Sequence, residues 1–147
     1  MKACRKILVP VDGSAPSWHA ARQAISLARQ LKARVTGLHV VGLYKVKPRR
    51  GRRPPDFLAK FEAQAKKKAG KIFSRLEAAC RAARVRCDCH TVWDPLAADA
   101  IARFARTRRC DLIVMGSHGE NDMRRVLMGS IARAVIARSR VPVVVCR

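Results

Sequence analysis

DLIVMGSHGENDMRRVLMGS, residues Asp111 to Ser130, is the stretch from which the fold is read. Leu112 to Met115 form an apolar run whose length and β-branched content suit a fully buried strand. At its carboxyl end the chain meets Gly116, Ser117, His118 and Gly119. Gly129 and Ser130 then stand directly before the helical pattern of Ile131 to Arg138. Two glycine-marked turns and a helix start thus converge on the mouth of a parallel strand. Glycine lets backbone N–H groups approach an oxyanion with no Cβ in the way, and a helix N-terminus carries partial positive charge. The stretch reads as a phosphate cradle.

Outward from it, apolar runs alternate with helical patterns. Ile7 to Val11, Val35 to Leu43, Val85 to Val92 and Val141 to Cys146 read as four further strands. Pro10 would cost a ladder bond in mid-strand, so it belongs at the end of the first strand. Ser14 is placed to cap a helix with Pro16 in its first turn, carrying Trp18, Ala21, Ile25, Ala28 and Leu31. A longer stripe runs Leu58, Phe61, Ala65, Ala69, Ile72, Leu76, Cys80. Asp94 before Pro95 reads as the cap of a helix bearing Leu96, Ala100, Ile101 and Phe104. Strands alternating with helices imply right-handed crossovers and a parallel sheet, one α/β domain spanning residues 1–147. Ligands of such sheets bind beyond the carboxyl ends of the strands, where the strand order reverses. The ends of the first strand (Pro10, Val11, Asp12) and the fourth (Met115, Gly116) are the natural flanks.

Composition narrows the partners. The 147 residues include 32 Lys plus Arg against 10 Asp plus Glu, a net charge of +22. A field of that sign attracts nucleotides, nucleic acid or other polyanions without choosing among them. No run reaches the length of a membrane span, and MKACRKILVPVD lacks a secretory apolar core with a cleavage site. A cytoplasmic protein is expected, with no membrane insertion. The six cysteines (4, 80, 87, 89, 110, 146) then read as reduced, mostly buried thiols, with a metal or redox role as the alternative. His19, His39 and His90 read as structural. His118 reads as a loop donor or a solvated side chain, since no partner for a catalytic base is identifiable. Lys45 to Pro55 form a basic, proline-rich loop, and Tyr44 beside it is too little for a base-stacking surface.

Taken with ILVPVDGS near the start, GLHVV in the second strand and VPVVVCR at the end, the chain resembles the universal stress protein family. It resembles in particular the ATP-binding subset, whose motif is Gly, two residues, Gly, nine residues, Gly-Ser/Thr. Gly116, Gly119, Gly129 and Ser130 meet it in full. The resemblance implies an open five-stranded parallel sheet of order 3-2-1-4-5, Rossmann-like, with helices on both faces. It implies that Gly116, His118, Gly119, Gly129 and Ser130 surround the phosphates of ATP. Pro10, Val11 and Asp12 would line base and ribose, Val40 would touch adenine, and Met115 and Ile131 would close the site. Those roles suit the residue types: apolar side chains for a flat base, a carboxylate for ribose hydroxyls, a hydroxyl and helix N–H groups for phosphate.

Three features depart from the family's usual pattern. Trp93 stands where glycine is common. Glu120-Asn121-Asp122 brings carboxylates near the phosphates, either weakening triphosphate binding or serving an accompanying Mg²⁺. The basic insert at Lys45 to Pro55 lies where the family varies. The last strand, with Val143, Val144 and Val145 apolar on both faces, would be an open edge, and a homodimer through it is expected. The expected function is ATP-dependent regulation in stress response without dedicated catalysis, slow ATP hydrolysis aside. The alternative is nucleic-acid or polyanion binding by Arg49, Arg50, Arg52, Arg53, Lys66, Lys67 and Lys68.

Overall fold

The computed structural model describes residues 3–42, 56–119 and 127–147. The basic insert, Tyr44, the Glu120–Asp122 carboxylates and the arginines at 124 and 125 lie outside the described residues. Among the described residues five strands and four helices alternate: β1 Lys6–Pro10, α1 Ala15–Leu31, β2 Arg34–Val41, α2 Phe57–Ala82, β3 Cys87–Trp93, α3 Ala97–Thr107, β4 Leu112–Gly116, α4 Ser130–Arg138 and β5 Val143–Cys146. The strands pair in parallel in the order β3-β2-β1-β4-β5. The sheet is the five-stranded 3-2-1-4-5 arrangement expected from the sequence.

The continuous apolar runs of β1 and β4 follow from two-sided burial. Ile7 and Val9 of β1 and Val114 of β4 pack beneath α1 and α2. Their neighbours Leu8, Ile113 and Met115 pack with Ile101, Phe104, Ala132 and Val135 of α3 and α4. Side chains alternate across a strand, so a run with no polar member needs a layer on each face. Pro10 is the last residue of β1, where its missing N–H costs the ladder nothing.

Helix ends are built consistently. Ser14 caps α1, its Oγ accepting from the N–H of Ser17. The helices α1, α2 and α3 leave through Lys32, Arg84 and Arg109, at φ 54°, 58° and 52°. After each, the next residue donates five positions back, Ala33 to Ala28 O, Val85 to Cys80 O and Cys110 to Ala105 O, at 2.8–2.9 Å. These are Schellman closures with a basic residue where glycine is usual.

Two expectations are corrected. Asp94 does not cap α3; its Oδ1 accepts from the N–H of Leu96 and its Oδ2 from Arg103, and the helix begins at Ala97. The Asx turn and Pro95 take up the residues read as the first turn. The α2 stripe is core only from Ala69 onward, with Leu58 55 % exposed. The first turns of α2 stand beyond the sheet.

Candidate functional site

The carboxyl ends of β1, β2 and β4 open onto a cavity of about 710 Å³. Strand order reverses between β1 and β4, because the chain crosses from there to opposite edges. The neighbouring loops must part at that point, which leaves a crevice. All eleven residues singled out from the sequence line the cavity: Pro10, Val11, Asp12, Val40, Met115, Gly116, His118, Gly119, Gly129, Ser130 and Ile131.

One side of the cavity is polar backbone. Gly129 is the N-cap of α4, extended at φ −61° and ψ 157°, and, being glycine, brings no capping side chain of its own to the first turn. The leading N–H groups of a helix have no intrahelical acceptor, so they are left to a ligand or water. Ser130 is exposed at this end. Gly129 is fixed by donating to Ser117 O at 2.7 Å, while Ser117 itself donates to Cys146 O at 2.8 Å. His118 closes the same loop. Its Nδ1 lies 2.9 Å from Ser117 Oγ and its Nε2 donates to Leu127 O. A carbonyl can only accept, so Nε2 carries a proton, and in the neutral ring Nδ1 then accepts from the hydroxyl. Both ring nitrogens are committed to holding the loop.

Two glycines make close approaches. A Cβ on Gly116 would stand 2.9 Å from the carbonyl carbon and oxygen of Pro16, so the end of β4 lies directly on the start of α1. A Cβ on Gly119 would stand 3.0 Å from Asp12 Oδ2. Asp12 Oδ1 accepts from the N–H of Ser14 at 2.9 Å, which orients the carboxylate beside the cavity. Gly116 is thus set by helix packing, a requirement separate from any ligand.

The opposite side is apolar. Leu38, Val40 and Val41 of β2 and Ile101 of α3 line it, with Phe61 and Ala65 from the part of α2 that overhangs the sheet. Phe61 meets Trp93 edge-on at 6.1 Å and stacks on Phe57 at 6.5 Å. His39 is buried at the base, its Nδ1 donating to Val11 O at 2.8 Å. The structural reading of His39 and of His90, which pairs with Asp88 at 2.8 Å, agrees with these contacts.

Sequence reasoning overlooked several wall residues. Phe61, Gln64 and Lys68 line the cavity from α2. Phe61 and Lys68 are both half-buried, which sets Lys68 apart from the exposed Lys66 and Lys67. Arg133 also lines the cavity; standing three residues after Ser130 on a helix, it shares that residue's face, and this spacing was the available signal. Among the described residues no group of three or more His, Cys, Asp or Glu is arranged to hold a metal. None of the described helices is long and apolar enough to cross a membrane.

The Universal stress protein family profile matches residues 3–147. The Methanocaldococcus jannaschii universal stress protein MJ0531 is 31% identical over 144 residues, covering 97% of this chain and 82% of that protein. Universal stress protein UspA from Lactobacillus plantarum superposes with a TM-score of 0.81 at 24% identity, covering 100% of both chains. An Archaeoglobus fulgidus universal stress protein solved in complex with dAMP gives 0.68 at 22% identity, over 99% of this chain and 100% of that one. A universal stress protein in complex with cAMP gives 0.68 at 21%, over 99% and 98%.

Proposed function

The chain belongs to the universal stress protein family, and from that premise we propose that its cavity binds ATP. The observation that carries the reading is the start of α4, capped by a glycine and opening, through Gly129, Ser130 and Ile131, into the cavity between β1 and β4. Phosphates there would take hydrogen bonds from the first-turn N–H groups and Ser130 Oγ, in the field of the helix dipole. Adenine would lie against Val11 and Val40, and Asp12 would accept from the ribose hydroxyls. The volume suits a ligand of this size. That related structures hold dAMP and cAMP supports the adenine class. Mg²⁺ would be held chiefly by phosphate oxygens and water.

The role is that of a nucleotide-dependent regulator rather than a catalyst. Both ring nitrogens of His118 are engaged within its own loop, so it is not poised as a general base. Acid release of nucleotide from the purified protein, with mass identification, tests the reading. Adenine nucleotide in the extract, together with a rise in Tm on adding Mg-ATP, is the expected result. An extract without it and an unmoved Tm would contradict it.

Two further interactions are proposed. Val144 is 43 % exposed on the edge strand β5, an apolar edge suited to pairing with a second copy. Sedimentation should give a dimer, and Val144→Lys a monomer. Lys66, Lys67 and Lys71 are exposed on α2, so the basic surface would also take a polyanion. Duplex DNA binding should then weaken with salt by a log–log slope of about 0.9 for each phosphate neutralised. A flat salt titration would remove that reading.

A further inference from the structure

The thiols at the opposite end of the sheet form a cluster that nucleotide binding does not use. Cys87 and Cys89 project from the same face of β3, their sulfurs 4.0 Å apart. Cys80, wholly buried near the end of α2, shares a hydrogen bond with Cys87. None of the six cysteines is in a disulfide. A hollow of about 260 Å³ lined by Glu77, Arg81, Val85 and Cys87 leads to the middle thiol. Of the three, Cys87 alone lines that hollow.

We propose that Cys87 is a peroxide-reactive thiol and that Cys80 is its resolving partner. Three observations converge on this. The hollow is ample for hydrogen peroxide. Reactive cysteines are partly exposed with a second thiol at hand, and Cys87 is half-buried in a cluster of three thiols. The thiols of Cys80 and then Cys89 both donate to Cys87, and this holds it down at about 4 against burial and the nearby Asp88 charge. Cys80 and Cys89 are pushed up correspondingly, by the bond to Cys87 first and then by burial, with Glu77 adding to both. Of the three thiols, Cys87 is therefore the one that ionises most readily.

The chemistry balances without a cofactor. Cys87 thiolate attacks one oxygen of hydrogen peroxide, the O–O bond breaks, and the leaving hydroxide takes a proton to become water. Cys87 is left as sulfenic acid. Cys80 sulfur, its proton passing to the departing hydroxyl, then displaces a second water and forms the S–S bond. Two thiols lose two electrons in all, and the peroxide oxygens gain them. Cys80 is preferred to Cys89 as partner on strand geometry. Residues two apart in a strand have Cα atoms about 6.7 Å apart, close to the upper limit of about 6.8 Å for a disulfide.

The test is peptide mapping of the reduced, full-length protein after hydrogen peroxide treatment. Wild type should yield a cross-link between the peptide holding Cys80 and the peptide beginning at Cys87, reversed by a dithiol. Cys89→Ser should retain it and Cys87→Ser should lose it. Cys80→Ser should leave Cys87 as a sulfenic acid that a 1,3-dione captures. Circular dichroism and Tm of each variant report folding, and the wild-type map needs no substitution. A cross-link that survives in Cys87→Ser would overturn the proposal. So would oxidation confined to Cys4 and Cys146, or a Cys87-peptide lighter by two hydrogens with no link to Cys80.

Discussion

Gly116 at the end of β4 and Pro16 in the first turn of α1 meet backbone to backbone, with 2.9 Å between the position of a Cβ on Gly116 and the Pro16 carbonyl. The contact fixes β4 against α1 and so sets the width of the crevice that Asp12 and Gly119 share. Neither side can yield cheaply, because both belong to main chain in regular structure. Gly116→Ala should therefore destabilise the fold by about 1–3 kcal/mol, as overpacking does. Urea denaturation measures it; an unchanged midpoint would mean that the contact is loose.

Arg109 makes the opposite case. Its positive φ closes the Schellman turn after α3, and side-chain-bearing residues adopt that region at a cost of about 1–2 kcal/mol. Arg109→Gly should raise stability by somewhat less, since glycine also adds freedom to the unfolded chain. Lys32→Gly should do the same after α1. Loss of stability in both would contradict this account of the helix ends.

Asp88 governs part of the acid limb. Burial alone would raise its carboxyl, but bonds from His90 and Thr36, with the charge of Arg34, outweigh burial and leave it below the usual range. A carboxyl lowered in the folded state stabilises the protein above its unfolded value of about 3.9. That contribution disappears as pH falls through the lower folded value. Tm should thus drop below about pH 4, and Asp88→Asn should be less stable near neutrality with a shallower acid limb. Superimposable profiles would exclude the role.

Much of this was legible in the sequence because α/β periodicity and turn residues agree. Unbroken apolar runs at Ile7–Val9 and Leu112–Met115 need helices on both faces, and Ser14 with Pro16 marks a helix start by chemistry alone. Glycine spacing gathered the cavity's polar side, since Gly116 ends β4, Gly119 follows it closely and Gly129 caps α4. The apolar side was harder to read. Phe61 and Lys68 share a helical stripe with Ile72 and Leu76, and periodicity cannot show where a helix passes beyond its sheet. Likewise His118 gave no sign of its bond to Leu127, which depends on how the loop returns to α4.

Ser130 separates ligand binding from folding, and it provides the sharpest test. It is exposed at the first position of α4, where a carboxylate is favoured by the helix dipole by about 0.3–1 kcal/mol. Ser130→Asp should leave the protein at least as stable as wild type while placing negative charge where the phosphates would lie. Isothermal titration of Mg-ATP into both proteins is the decisive measurement. The account predicts saturable binding by wild type and a loss of at least about tenfold in affinity, roughly 1.4 kcal/mol, in Ser130→Asp. No heat with wild type, or equal affinities in the two, would contradict it.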